Sequence, residues 1–373
     1  MTIPGEAASL NQRLLMEVKR FRKLVRELKK KETLPYLVSD LTNIKYLTGF
    51  SGSHALLIVG EVKSYFMSDA RYEEYARSIL PRGVEFILQK EDINNHIKAS
   101  LKQMGEKSLY LEEHSLMLSQ YFDLKKKLRG IKVHPGGNEV NVLRMVKNDE
   151  EIDVIKRAAA VTDRCVKHLV STVKPGMTEW DVAVEIEYFY RTNGCRKSSF
   201  DSIVASGPGS SMPHYETSMK KKIREGEVLL VDMGCTLDGY NSDLTRTFFV
   251  RSIDPLIEKI YHVVKEAQQR AVESVKPGIT TGKLDSIARD IISEAGYGEN
   301  FGHSLGHGLG LEVHEIPALR TGGDLRLKKN MVVTIEPGIY LPGQGGVRIE
   351  DMVLVTGKGP EILTKATKEL QVI

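Results

Sequence analysis

Two apolar runs in this sequence each carry a carboxylate at their end. Glu227 to Met233 (EVLLVDM) carries Asp232, Met331 to Pro337 (MVVTIEP) carries Glu336, and the two acids stand 104 residues apart. A second acid follows each: Asp243 after the turn Asp238-Gly239-Tyr240-Asn241, and Glu350 after the glycine-rich turn Pro342 to Gly346, 107 residues apart. An acid closing a β-rich apolar run points into dehydrated protein, where an unpaired charge is costly unless a cation neutralises it. Four such acids ask for metal. Carboxylate oxygens suit hard divalent cations, and two ions sharing bridging carboxylates account for four acids where one ion would need fewer. The remaining ligand candidates lie in Phe301 to Gly310 (FGHSLGHGLG), where glycines at 302, 306, 308 and 310 let the backbone approach a site closely around His303 and His307. Periodicity does not choose between the two histidines.

The elements that must position these groups occur twice. Val173-Lys174-Pro175-Gly176-Met177-Thr178 recurs as Val275-Lys276-Pro277-Gly278-Ile279-Thr280, 102 residues later. In each copy an amphipathic helix precedes the turn and a second helix starts at the Thr cap, running to Tyr190 in one and Ala295 in the other. A period near 100 residues seen twice argues for two packed halves around a shared core, since solenoid repeats run about 20 to 50 residues. The expected product is one pseudo-symmetric domain over residues 141–373 with its acids facing the seam.

Residues 1–140 read as a smaller α/β domain. Strand-like Leu56 to Val59 and Ser64 to Met67 are followed by helical stretches around Arg71 to Ile79 and Asn94 to Met104. The stretch His134 to Asn138 punctuates the chain before a charged helix beginning near Asn148 to Glu151, which sets the boundary at about residue 140. At 373 residues, two domains are the default. The N-terminal region also holds two basic helical runs: Gln12 to Lys31, with an apolar stripe of Leu14, Leu15, Val18, Phe21, Leu24, Val25 and Leu28, and the cluster Lys125, Lys126, Lys127, Arg129. Both read as solvated helix faces and imply no partner.

A net charge of +4 offers no case for nucleic acid. No stretch approaches the roughly 18 apolar residues a membrane helix needs, and no signal-peptide region is evident, so a cytoplasmic chain is expected. Cys165, Cys195 and Cys235 give neither a disulfide framework nor zinc spacing, and are expected to be reduced.

From about residue 145 onward the chain resembles the pita-bread metallopeptidase family, which includes methionine aminopeptidase, prolidase and aminopeptidase P. The resemblance rests on VDMGCTLDGYNSDLTRTF, SLGHGLG, TIEPGIY and GGVRIEDMVLVT. It implies that Asp232, Asp243, His307, Glu336 and Glu350 are the metal ligands, with Asp243 and Glu350 bridging, Asp232 on one ion, and His307 with Glu336 on the other. Upstream, LTNIKYLTGFSGSHALLIV resembles the N-terminal domain of prolidase, aminopeptidase P and creatinase, and VLRMVKNDEEIDVIKRAA their interdomain connection. Methionine aminopeptidases generally lack that domain, and creatinase does not keep the ligand set. The implied activity is hydrolysis of the Xaa-Pro bond of dipeptides or short peptides, in a homodimer carrying two divalent ions per subunit. Manganese is favoured, with cobalt, zinc or iron compatible with the same donors.

Such an ion pair can acidify a bound water to near neutral pH and polarise the scissile carbonyl. The resemblance makes Glu336 the proton shuttle and places His214 (SMPHYE) and His314 (LEVHEIP) against the substrate or the developing oxyanion. His303 matches a position open to either substrate contact or support of the site. Arg348, two residues before Glu350, is expected on the same strand face, either ordering ligand carboxylates or clamping a substrate carboxylate. Tyr215 and Tyr340 are candidate pocket residues. Two other readings stand beside the dipeptidase: an aminopeptidase acting on longer Xaa-Pro peptides, and an inactive binding protein on the same fold.

Overall fold

The stripe near the N-terminus folds as helix α1 (Pro4–Lys30), with Leu24 and Leu28 fully buried and Val18, Phe21 and Val25 half-buried. The computed structural model describes the backbone from Pro4 and side chains from Met16, so the side chains of Leu14 and Leu15 lie outside what is described. The chain forms two units, Met1–Arg144 and Met145–Ile373.

The first unit is a six-stranded mixed sheet with helices. Its strands are β1 (Tyr36–Val38), β2 (Leu56–Val59), β3 (Ser64–Ser68), β4 (Val84–Leu88), β5 (Ser108–Leu111) and β6 (Lys132–Pro135), in spatial order β4-β3-β2-β1-β5-β6. The meander β1-β2-β3 is antiparallel and the outer pairs are parallel. The remaining helices are α2 (Leu41–Thr48), α3 (Glu73–Ile79), α4 (Ile93–Met104), α5 (Leu118–Lys127) and α6 (Glu139–Arg144). The helix expected from Arg71 begins instead with a 3-10 turn, Ala70–Tyr72, capped by the Asp69 carboxylate. The basic cluster ends α5 in solvent, where Lys127 pairs with Asp92 at 2.7 Å and Asp123 at 2.9 Å.

The second unit repeats its own architecture. Helices α7 (Asp149–Thr172) and α8 (Glu179–Thr192) form the first pair, and α9 (Pro255–Glu273) with α10 (Thr281–Glu294) the second. Thr178 and Thr280 cap the second helix of each pair with nearly equal dihedrals, φ −79° and −80°. Gly176 and Gly278 take the left-handed conformation the turn demands, at φ 94° and 90°. Even the tethering bonds are repeated: Gly176 N–H donates to the Ile223 carbonyl and Gly278 N–H to that of Leu327. Each half also encloses a core of its own, one around Val166, Ile186 and Val231, the other around Val264, Ile292 and Val333.

Strands complete the halves. The first contributes β7 (Lys197–Ser198), β8 (Ile203–Ser206), β9 (Val228–Met233), β10 (Cys235–Leu237), β11 (Tyr240–Asn241) and β12 (Leu244–Phe249), arranged as β12-β9-β8 and β11-β10-β7. The second contributes β13 (Gly306–Gly308), β14 (Glu315–Leu319), β15 (Val332–Ile335), β16 (Gly338–Leu341), β17 (Gly345–Arg348), β18 (Asp351–Thr356) and β19 (Gly359–Ile362), arranged as β14-β13-β15-β18-β19 beside the hairpin β16-β17. The halves meet where Glu350 N–H donates to the Thr245 carbonyl at 3.2 Å and Thr247 Oγ1 donates to the Arg348 carbonyl at 2.9 Å.

Arg246 locks that seam from within. It is 2% exposed, and its guanidinium donates to Asp351 Oδ1 at 2.8 Å and to the carbonyls of Thr245, Thr367, Ala366 and Glu350. Truncation would orphan several buried acceptors at once. Arg246→Ala is therefore expected to lower unfolding free energy by about 3–5 kcal/mol, the usual result of breaking a buried ion pair from one side. Urea unfolding at fixed metal concentration measures it, and a loss under about 1 kcal/mol would show that this network does not hold the seam.

Candidate metal centre

The four candidate acids stand at or near a strand end or in the link between two strands. Asp232 is the fifth residue of β9, Asp243 immediately precedes β12, Glu336 immediately follows β15, and Glu350 lies in the link between β17 and β18. His307 is the middle residue of β13, at a register shift between His307 and Gly308 that re-aims the side chain. The glycines beside it are required by space: a Cβ on Gly306 would sit 2.1 Å from the Thr334 carbonyl oxygen, and one on Gly308 2.4 Å from that of Ile316. Only bare backbone lets β13 fit there.

The side chains converge across the seam. Donor atoms of Asp243, His307 and Glu350 all lie within 4.8 Å of one another. Glu336 joins them through His307, its Oε1 3.2 Å from Nε2, while Asp243 Oδ2 is 3.6 Å from the same nitrogen. Asp232 lies outside that tight group, held by Arg348 Nη2 at 2.7 Å, yet its charge is felt at both Asp243 and Glu350.

Burial first, and repulsion from neighbouring acids second, push Asp243 and Glu350 well above the usual carboxylate range. Burial also raises Asp232, against the pull of Arg348. At Glu336 the same burial is outweighed by His307, which brings the carboxyl down to about 2. His307 is pushed up to about 9, since Glu336 and Asp243 overcome the effect of burial.

The donor set fits hard divalent ions. Asp232 Oδ1 and Glu350 Oε1 are buried without a hydrogen-bond partner, although the second oxygen of each is pinned, by Arg348 and by Thr245 Oγ1 at 2.9 Å. Orphaned buried carboxylate oxygens are expensive unless something absent from the chain completes them. His307 Nδ1 lies 3.0 Å from the Gly308 carbonyl and Nε2 faces the acids, so with one ring proton held on Nδ1 it is Nε2 that would bind an ion.

The other predicted residues divide into two groups. His214 and His314 are exposed, so neither is a buried structural histidine; the His314 ring lies edge-on to His307 with centroids 4.4 Å apart. His303 has both ring nitrogens engaged inside the protein, Nδ1 with the Ser304 carbonyl at 2.8 Å and Nε2 with Tyr340 Oη at 2.9 Å. Tyr340 Oη in turn accepts from Arg348 Nη1 at 2.9 Å. Arg348 is 3% exposed and also donates from Nε to Thr245 Oγ1 at 3.0 Å. It does not share a strand with Glu350, because β17 ends at Arg348 and β18 begins at Asp351; the two side chains are coupled through Thr245. Tyr215 turns away to donate to buried Glu179 at 2.8 Å.

Thr245 and Thr334 are polar supports that inspection of the acids alone missed. Thr334 Oγ1 accepts from His307 N–H at 3.0 Å and donates to Glu336 Oε1 at 3.1 Å. Strand alternation carried the signal, since Thr334 stands two residues before Glu336 and Thr245 two after Asp243.

Residues 20–146 match the creatinase/prolidase N-terminal domain, and residues 153–357 match metallopeptidase family M24. The chain is 38% identical over 359 residues to an Xaa-Pro dipeptidase of Pyrococcus horikoshii, covering 94% of this chain and 97% of the relative. Among solved structures, an Xaa-Pro dipeptidase from Bacillus anthracis superposes with a TM-score of 0.91 at 37% identity, covering 96% of this chain and all (100%) of that one. An X-Pro aminopeptidase from Thermotoga maritima gives 0.82 at 36% identity, over 91% and 97%. With a family match spanning most of its second unit and relatives aligned over nearly its full length, the chain belongs to metallopeptidase family M24, on the pita-bread fold.

Proposed function

We propose that this chain is an Xaa-Pro dipeptidase that binds two divalent ions, manganese by preference, between its two half-domains. The observation that carries the reading is the pair of orphaned buried oxygens on Asp232 and Glu350, set among Asp243, His307 and Glu336. Asp243 and Glu350 would bridge, Asp232 would complete one site, and His307 with Glu336 the other. When bound, such ions supply an acidified water and polarise the scissile carbonyl.

The residues around them have separable tasks. Glu336 Oε1 accepts from Thr334, and the Glu336 carboxylate would receive the proton of the attacking water and pass it to the leaving nitrogen. His214 and His314, at the exposed side of the site, donate hydrogen bonds to the substrate carbonyl as it gains charge. Partial desolvation, and next the neighbouring His307, lower His314 below its usual value. Arg348 orders Asp232 and has its hydrogen bonds inside the protein, so the carboxylate-ordering role fits it better than a substrate clamp. His303 supports the same network through Tyr340.

Cytoplasmic location belongs to the same proposal, supported by three free, buried cysteines such as a reducing compartment maintains. A homodimer is proposed from the family resemblance, with sedimentation as its measurement. The second reading, an aminopeptidase for longer peptides, is supported by the Thermotoga maritima structure, at 36% identity against 37% for the Bacillus anthracis dipeptidase. A substrate-length series decides between them. The manganese-loaded chain is expected to hydrolyse Xaa-Pro dipeptides at least about tenfold faster, by kcat/KM, than Xaa-Pro-Xaa tripeptides, a difference of about 1.4 kcal/mol. The reverse ratio would establish the aminopeptidase, and activity on neither would sink both.

A further inference from the structure

One guanidinium grips the backbone on both sides of Gly302. Arg289, on α10, donates from Nη1 to the Phe301 carbonyl and from Nη2 to the His303 carbonyl, both at 2.8 Å, and its Cζ lies 4.3 Å from the Phe301 ring centroid. The same group is braced by Asp285, one turn earlier, through two hydrogen bonds of 2.9 Å. Asp285 is 1% exposed, and it also accepts from Leu305 N–H at 3.2 Å and Thr321 Oγ1 at 2.8 Å. Residues 301–305 are outside regular strand structure and include exposed Gly302, whose missing side chain would have met no atom within 4 Å. Phe301 and Leu305 are buried in the core, and between them the backbone around Gly302 is held to α10 by these hydrogen bonds.

What hangs from it is the metal centre. Leu305 accepts the Glu336 N–H at 2.8 Å, and His307 follows two residues later. In the other direction His303 reaches Tyr340, Tyr340 reaches Arg348, and Arg348 holds Asp232. We propose that the Arg289–Asp285 pair is a positioning device for the metal centre, setting the His307–Glu336 half directly and Asp232 through the His303–Tyr340–Arg348 chain. This rests on the dinuclear reading above. Neither residue touches the candidate ligands; the pair acts by fixing the backbone that carries them. The planar fork is essential to that task, because lysine keeps the charge beside Asp285 but cannot span two carbonyls and a carboxylate together.

The test is a cobalt(II) titration of the full, metal-stripped chain, followed by visible absorption and calorimetry, for wild type, Arg289→Met and Arg289→Lys. Both variants are expected to lose about 10–100-fold in affinity at the weaker-binding step and to show an altered visible spectrum, the scale typical of outer-shell partners. Lysine should not rescue either property. A merely structural pair would lower the thermal midpoint while leaving affinity and spectrum as in wild type, and that result in folded protein overturns the proposal. Arg289→Lys carries the same comparison if Arg289→Met does not fold. Wild type that takes up no cobalt would overturn the dinuclear reading and this inference with it, whereas wild-type uptake matched by both variants overturns the inference alone.

Discussion

Glu350→Ala is expected to strip both ions from the protein and to reduce Xaa-Pro hydrolysis by at least about a thousandfold, a barrier increase of about 4 kcal/mol. Asp243→Ala should do the same. These two acids lie with His307 in the tightest donor cluster, where one side chain can serve two ions, whereas losing Asp232 removes a ligand already shared with Arg348. The isosteric Glu350→Gln separates charge from shape. In the metal-free protein it removes one of several carboxyls that burial and mutual repulsion hold above their usual range, so its metal-free form should be at least as stable as wild type even while metal is lost. Metal analysis after gel filtration checks the first expectation and urea unfolding the second. Retention of two ions in either alanine variant would rule out bridging by that residue.

The acids are visible in the sequence because Asp232 and Glu336 close apolar runs, Asp243 and Glu350 each follow after a turn, and the chain uses the arrangement twice. Duplication made the Thr178 and Thr280 caps legible as well, since a Thr after a Pro-Gly turn is a local signal with a local cause. What the sequence did not display were interactions set by the seam. Arg246 reads as one more charge in a strand, yet its surroundings come from Thr245, Glu350, Asp351, Ala366 and Thr367, most of them over a hundred residues away. The Arg289–Asp285 pair looks like an ordinary i, i+4 helix pair, worth a few tenths of a kcal/mol on a solvated surface, until the 301–305 segment is folded against it. Spacing from Glu350 puts Arg348 near the site, but the strand break between them makes Thr245 the connection. Local pattern thus points to the candidate donors, and tertiary contact decides which groups hold them.

Metal-free protein should lose stability steadily as pH rises from about 5 to about 9, and added manganese should reverse or flatten that slope. The folded-state values of Asp243, Glu350 and Asp232 lie above the ordinary carboxylate range, raised by burial first and, for Asp243 and Glu350, by acid–acid repulsion second. Such groups keep protons that the unfolded chain has released, so the stability they contribute is full below the unfolded value and is lost as pH climbs. His307 acts in the same direction: its folded value of about 9 gives a contribution complete below about 6.5 and lost as pH passes through 9. Glu336, at about 2, has the opposite sign, but its contribution is lost only as pH falls from about 4.5 toward 2, outside this window. Ions require these ligands deprotonated and therefore compete with the protons, so their stabilising effect must grow with pH. At a thousandfold excess over the dissociation constant each ion adds about 4 kcal/mol, in opposition to the alkaline loss. Unfolding curves with chelator and with manganese should diverge from pH 5 to pH 8. A metal-free chain whose stability is flat or rising over that range would mean that these carboxyls do not repel one another, and the case for a cation between them would lose its physical basis.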